Sequence, residues 1–361
     1  MSRITRAGLI GAGRIAQAHA AGIQAAGVEL VGIVASTPLR SREAASRLGA
    51  GRAYGSVAEL LADPEIQVIH IVTPTAAHFA QASQAIAAGK HIVCEKPLTT
   101  TSADAARLVT QAATAGVVGT VAFTYRYQPV VQETKARLRD GELGGLTSIR
   151  GGYLQDWLLT APASEWRLDP DRAGFSRATA DLGSHLFDLV EFVCADRFAR
   201  VAASVLQAVG GTGRTDSADD AVGIVLETTA GVPCSLAVSQ VAPGHVNSLT
   251  LEVSGVRAAF GIDIERTDGL SIATPGSVRI VPADELGRGV ALAGFTPQGG
   301  TLDLISGFSA FIQHSYAAMG GEPVEGLPTL ADGLRAVMAC EAVRRAAVSG
   351  AWVELDGRRS V

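Results

Sequence analysis

Residues 8–16 read GLIGAGRIA, and this stretch limits the fold more than any other in the chain. A short apolar run, AGLI, ends in Gly11-Ala12-Gly13-Arg14-Ile15-Ala16, a G-x-G-x-x-A pattern. Helical spacing follows at Ile15, His19, Gly22, Ile23 and Ala26. A strand that turns directly into a helix favours a residue without a Cβ at the turn, and Gly11 supplies it. Gly13 lets backbone approach a pyrophosphate, and Ala16 lets the helix pack closely on the strand. The helix N-terminus then presents N–H groups and the positive end of its dipole to phosphate. Gly11, Ala12, Gly13, Arg14 and Ile15 are therefore expected to hold a dinucleotide.

The rest of the first ~120 residues continues this pattern at the usual strand and helix lengths. VELVGIVA, IQVIHIVT, KHIVCE and VVGTVAF are apolar runs separated by helical segments, including AAHFAQASQAIAAG and SADAARLVTQAATAG. Strands alternating with helices predict a doubly wound parallel sheet covered on both faces. After a helix near PVVQETKARLRDG the pattern changes. TSIRGGYLQ, VAASVLQ, AVGIVLET, CSLAVSQ, LTLEVSG and RAAFGI show partial alternation with turn signals between them, and two helices, around 303–319 and 330–349, close the chain. This predicts an α+β domain with a large, mostly antiparallel open sheet. The expected boundaries are 1–123 for a dinucleotide-binding Rossmann domain and 124–361 for a domain that binds substrate and forms oligomers.

Composition excludes several classes. With 47% hydrophobic and 18% charged residues the chain has ample core. A net charge of −5 gives no basic surface for nucleic acid. No apolar stretch reaches the ~20 residues a membrane helix needs. Cys94, Cys194, Cys234 and Cys340 lie far apart, as expected of buried thiols in a reducing cytoplasm. No metal signature is present.

Three further stretches suggest chemistry. The second strand ends in Ser36 and Thr37 where an NAD enzyme would place an acidic residue, and Arg40 follows. Hydroxyls beside a guanidinium favour the 2′-phosphate of NADP over the bare ribose of NAD. The fourth strand stops at Glu95-Lys96-Pro97, where the proline restrains Lys96 to an extended backbone. In a doubly wound sheet that strand end faces the ligand crevice. TADLGSHLFDLVEF, read as a helix, brings Asp181, His185 and Asp188 to one edge beside an apolar stripe. There His185 could exchange a proton near neutral pH with Asp181 orienting it, or Asp181 could cap the helix and His185 pack at its boundary.

Taken together, these pieces resemble the Gfo/Idh/MocA oxidoreductase family. The resemblance rests on GAGRIA at 11–16, TPTAAH at 73–78, EKPL at 95–98, TYRYQP at 124–129, DLGSHLFD at 181–188 and PTLADGLRAV at 328–337. It implies a catalytic Lys96, with Asp181 and His185 as the matching pair and His185 as proton acceptor. It implies a cofactor site that includes Thr73, Pro74, His78, Glu95 and Lys96, in which Glu95 either orients the lysine or binds the ribose. It also implies a cis Lys96–Pro97 bond and a homo-dimer or homo-tetramer formed through the second sheet. GGYLQDWLL and EWRLD resemble a sugar-oxidising branch that includes levoglucosan dehydrogenase. From these stretches Tyr153, Gln155, Asp156, Trp157, Trp166 and Arg167, with Arg126 and His185, are expected to contact substrate, since apolar faces with polar tips suit a carbohydrate ring. The expected activity is hydride transfer between NADP or NAD and a hydroxyl-bearing carbon of a sugar, anhydrosugar or inositol-like polyol. The alternatives are redox-neutral glycoside cleavage on a tightly held cofactor, or a non-catalytic sugar sensor.

Overall fold

The computed structural model describes residues 3–161, 165–174, 176–207, 218–265, 269–287 and 304–355. The chain forms two compact units, one of residues 1–124 and 304–335, the other of 125–303 and 336–361.

In the first unit the elements alternate as β1 (Arg6–Ile10), α1 (Ala16–Ala25), β2 (Glu29–Val34), α2 (Pro38–Leu48), β3 (Arg52–Ala53), α3 (Val57–Ala62), β4 (Val68–Ile71), α4 (His78–Ala87), β5 (His91–Cys94), α5 (Ser102–Ala115) and β6 (Gly119–Val121). The six strands are all parallel, in the order β3-β2-β1-β4-β5-β6. Strand order reverses beside β1, which has β2 on one side and β4 on the other. Ligands of such sheets sit at the carboxyl ends of the strands at this reversal. The apolar runs become strands because both faces are covered: Leu9, Ile33, Ile69, Ile71 and Ile92 are fully buried. Helix ends follow local chemistry. Thr37 and Thr101 cap α2 and α5 by accepting from Arg40 N and Asp104 N, each at 3.2 Å.

The second unit contains α6 (Pro129–Arg139), β7 (Leu146–Leu154), α7 (Pro170–Ala173), α8 (Ser184–Cys194), β8 (Phe198–Leu206), β9 (Ala221–Thr228), β10 (Pro233–Ser239), β11 (Ser248–Gly255), β12 (Ala259–Asp263), β13 (Gly269–Thr274) and β14 (Ser277–Pro282). Two helices, α9 (Leu304–Met319) and α10 (Leu330–Ser349), precede a short β15 (Val353–Glu354). Nine strands pair in the order β14-β13-β12-β11-β7-β10-β9-β8-β15, antiparallel except for β7 with β10. One face packs on α8 and the end of α10, where Ile149, Ile224, Leu236 and Leu251 share a core with Leu186, Leu189 and Val343. The other face is open.

The structure departs from the sequence expectation at the chain's C-terminal end. Residues 304–335 group with the first unit rather than with everything after residue 124. The contact is close: a Cβ on Gly22 of α1 would lie 2.4 Å from Ile312 Cδ1 of α9. Thr120 Oγ1 and Ser315 Oγ are 3.1 Å apart, and Val121 N donates to Pro328 O at 3.0 Å.

Candidate active site

The carboxyl edge of the parallel sheet gathers the loops expected to bind a dinucleotide. Gly11 follows β1 with φ of 112°, and a Cβ there would come within 2.8 Å of Val72 O, so both conformation and space exclude a side chain. A Cβ on Gly13 would meet no described atom within 4 Å, so the backbone there borders open space of the kind a pyrophosphate needs. Ala16 is completely buried against the sheet, while Arg14 and Ile15 are exposed at the loop. The Ala12 carbonyl accepts from Arg47 Nη2 at 2.9 Å. Beyond β2, Arg40 Nη1 donates to Ser36 Oγ at 3.2 Å on an exposed surface. Thr37 is committed in part to capping α2. These residues fit a dinucleotide.

The Lys96 turn follows β5 at the same edge. Lys96 is half-buried, and its bond to Pro97 is cis. Glu95 Oε2 accepts from Lys96 N at 3.1 Å, and Glu95 Oε1 lies 3.1 Å from His19 Nε2. Burial alone would raise the Glu95 pKa; the His19 hydrogen bond, with Lys96 alongside, outweighs it and holds the carboxyl below its usual range. His78 supports the turn from the other side. Its Nε2 is 2.8 Å from Thr73 O and its Nδ1 is 3.0 Å from Pro97 O. Burial keeps the His78 pKa below the ordinary imidazole value. Thr73 Oγ1 donates to Gln81 Oε1 at 2.6 Å, and Pro74 leads into a 3-10 turn over Thr75–Ala77. His78 is thus a brace within the protein: both ring nitrogens face carbonyls, and the neutral ring donates its single N–H to one of them.

In the second unit, Asp181 sits on a π-helical turn, Thr179–Gly183, that runs into α8. The regular 100° helix assumed from sequence does not hold across it, because a π turn packs more residues per turn. Asp219 anchors the turn through Oδ2, accepting from Thr179 N at 2.6 Å. Asp181 Oδ2 accepts from Arg167 Nε at 3.0 Å and from Gln240 Nε2 at 2.8 Å. Arg167 also pairs with Glu165 at 3.0 Å and lies over the Trp166 and Trp157 rings, at 4.5 and 5.3 Å.

His185 is buried, with the Tyr125 ring edge-on at 4.9 Å and the Tyr153 ring at 6.0 Å. The two tyrosine hydroxyls are 2.7 Å apart, and Asn247 joins them: Tyr153 donates to Asn247 Oδ1 at 2.7 Å, and Asn247 Nδ2 donates to Tyr125 OH at 3.1 Å. Gln155 Nε2 donates to the same Asn247 oxygen at 2.7 Å, and Gln155 Oε1 accepts from Trp157 Nε1 at 2.6 Å. Asp156 Oδ2 accepts from Gly244 N at 3.2 Å. Burial raises the pKa of both tyrosines, Tyr153 most, so they stay protonated donors.

Arg126 and Asp188 are placed differently from the sequence expectation. They form a buried pair, with Nε–Oδ2 at 2.8 Å and Nη2–Oδ1 at 2.5 Å. Arg126 is 4% exposed, and its guanidinium is turned to this carboxylate, which ties it to α8. Sequence reasoning missed Asn247, Gln240, Tyr125 and His19. Two of them left a signal there: His19 on the helical stripe after the glycine loop, and Tyr125 within TYRYQP.

No helix among the described residues is long and apolar enough to cross a membrane. A parallel sheet with this loop at its edge is the arrangement of a dinucleotide-binding fold, and here a sheet domain carrying a buried histidine follows it. Two family models match the chain: the oxidoreductase family's NAD-binding Rossmann fold over residues 5–123, and the GFO/IDH/MocA C-terminal domain over residues 131–260. The chain belongs to the GFO/IDH/MocA family. It is 29% identical to levoglucosan dehydrogenase of Pseudarthrobacter phenanthrenivorans over an alignment of 352 positions that covers 90% of this chain and 88% of that one. A structure of levoglucosan dehydrogenase with NADH and levoglucosan superposes with a TM-score of 0.88 at 26% identity, covering 98% of this chain and 100% of that chain. An inositol dehydrogenase homolog from Azotobacter vinelandii, complexed with NADH and myo-inositol, gives 0.87 at 25% identity, covering 98% of each.

Proposed function

We propose that the protein transfers hydride between NADP or NAD and a hydroxyl-bearing ring carbon of a sugar, anhydrosugar or cyclic polyol. The observation that carries this is the Lys96 turn, fixed by Glu95 on one side and His78 on the other, at the sheet edge that also bears the glycine loop. Gly11, Ala12, Gly13, Arg14 and Ile15 would hold the pyrophosphate. Ser36, Thr37 and Arg40 would hold the adenosine ribose, and Thr73, Pro74, Glu95 and Lys96 the nicotinamide half. The nicotinamide supplies the hydride acceptor.

Lys96 hydrogen-bonds the reacting hydroxyl and stabilises the negative charge that develops on its oxygen. His185 takes the proton of that hydroxyl. Asp181, held by Arg167 and Gln240, keeps negative charge near the imidazole. Gln155, Trp157 and Trp166 provide a half-buried wall of rings and amides suited to a carbohydrate, with Tyr153 and Asp156 behind it. The Arg40–Ser36 pair favours NADP. The open face of the nine-stranded sheet bears exposed Val225 and Ile280 around a shallow depression of about 1030 Å³, and we assign it to homo-dimer or homo-tetramer contacts. Four cysteines without a disulfide agree with a cytoplasmic protein.

The test is a panel of levoglucosan, myo-inositol and monosaccharides with NAD and NADP separately, followed by the absorbance of reduced nicotinamide. Lys96→Ala and His185→Ala should each lower kcat by about 10²–10⁴ with saturating cofactor. Arg40→Ala should raise the KM for NADP about tenfold and leave that for NAD nearly unchanged. Near-native turnover in both site variants would overturn the reading.

A further inference from the structure

Glu95 is the end of a buried chain of hydrogen bonds that the proposed reaction does not itself need. From Glu95 Oε1 the chain passes to His19 Nε2 at 3.1 Å. His19 Nδ1 is 2.8 Å from His70 Nδ1, and His70 Nε2 is 2.7 Å from the Tyr316 hydroxyl. The four groups come from the end of β5, from α1, from β4 and from α9, all in the first unit. His19 and His70 are completely buried, Tyr316 is 6% exposed, and Phe308 packs edge-on against the His19 ring.

The chemistry of these groups fixes the direction of every bond. A carboxylate only accepts, so His19 Nε2 carries a proton and donates to Glu95. Burial holds the His70 pKa well below the ordinary imidazole value, so His70 is neutral and carries one proton. The hydroxyl proton of buried Tyr316 has one acceptor among the described residues, His70 Nε2. If Tyr316 donates there, His70 must carry its proton on Nδ1 and give it to His19 Nδ1. Every donor then finds an acceptor, both rings stay neutral, and all three bonds point toward Glu95. The reverse arrangement would leave the tyrosine proton unsatisfied in the core, which is disfavoured.

We propose that Tyr316, His70 and His19 form a one-way hydrogen-bond relay that orients Glu95 and, through its second oxygen, the Lys96 backbone. His19 is the positioning residue. Glu95 Oε1 is taken by His19, which leaves Oε2 for Lys96 N–H. The carboxylate thus cannot rotate without giving up one of the two bonds. This inference rests on Lys96 being catalytic, as proposed above.

Two measurements on the full-length protein test it. In protein labelled with ¹⁵N-histidine, NMR should find His70 protonated on Nδ1 alone and His19 on Nε2 alone, and Tyr316→Phe should shift the His70 Nε2 signal. With the panel substrate that turns over fastest, His19→Leu should lower kcat at least tenfold while the Kd for NADH, read by its fluorescence, stays within threefold. His19→Gln keeps an N–H toward Glu95 and should restore kcat to within threefold of the unaltered protein. His70 protonated on Nε2 would overturn the relay. So would kcat within twofold in His19→Leu, a fall matched by loss of NADH binding, or no rescue by glutamine. Lys96→Ala separates the two readings. Full turnover in that variant sinks the catalytic lysine, whereas an inactive Lys96→Ala beside a fully active His19→Leu sinks the relay alone.

Discussion

The two units bury polar groups by different means. In the first, the polar interior around Lys96 is built from neutral rings and hydroxyls: His19, His70, His78, Tyr316 and the Thr120–Ser315 pair, with Glu95 as the acceptor at the end. In the second, neutral tyrosine hydroxyls and Asn247 also lie beside His185, but the unit adds ion pairs with buried partners: Arg126 with Asp188, Arg177 with Asp220, Arg137 with Glu133, and Arg167 with Asp181. A chain of buried rings and hydroxyls has a direction, and burial disfavours charging a ring within it. An ion pair has little direction, resists mild acid, and fails when one partner is removed.

Breaking the Arg126–Asp188 pair should have the largest effect. Asp188→Ala leaves a buried guanidinium without its carboxylate and should destabilise the second unit by about 3–5 kcal/mol in urea unfolding followed by tryptophan fluorescence. The double variant Arg126→Leu/Asp188→Leu should recover most of that loss. A single-variant loss below about 1 kcal/mol would mean that the pair is not what holds α8.

Mild acid should act in the opposite sense, on the first unit. The folded pKa values of His70, His78 and His91 all lie below the ordinary value, because burial disfavours the charged ring. Their neutral burial therefore contributes stability that is complete above the unfolded pKa of about 6.5 and lost as pH falls toward the folded values. The slope is at most about 1.4 kcal/mol per pH unit for each histidine. Glu95 does not add to this loss between pH 7 and 5. Its folded pKa is also depressed, so its contribution persists above the unfolded carboxylate value of about 4.3. All three tryptophans, Trp157, Trp166 and Trp352, lie in the second unit. Circular dichroism should therefore lose signal at higher pH than tryptophan fluorescence does. Coincident acid transitions would erase the contrast.

The smallest effect is expected on the open sheet face. Arg150 and Glu252 pair at 2.8 Å with 72% and 34% of their side chains exposed, and Arg150→Ala should change monomer stability by less than about 1 kcal/mol. If that face joins copies of the chain, the same substitution should instead raise the dissociation constant measured by sedimentation.

How much of this was legible in the sequence follows the range of the forces involved. Local signals read well. The glycine loop and the alternation of β9, buried at Val222, Ile224 and Leu226, needed no distant partner. Strands with little burial did not: β3 is exposed at both residues, and β14 buries only Val281 of six. The Lys96 turn could be picked out because a proline marks it. The partner of Arg126 was not legible, because an arginine looks the same whether it meets a sugar or a carboxylate 62 residues away. Asn247 left no pattern at all, since its role comes from two tyrosines brought to it by other elements.

The return of residues 304–335 to the first unit also has a consequence for how the protein is made. A ribosome releases the strands of the first sheet early, then spends roughly 10–40 s on the second unit before α9 appears, at about 5–20 residues per second. Throughout that interval the groove at Gly22 lacks Ile312, and His70 Nε2 lacks the Tyr316 hydroxyl. Vectorial synthesis thus leaves the nucleotide-binding unit unfinished until residue 335 of 361 has been made, although it is the first to be translated.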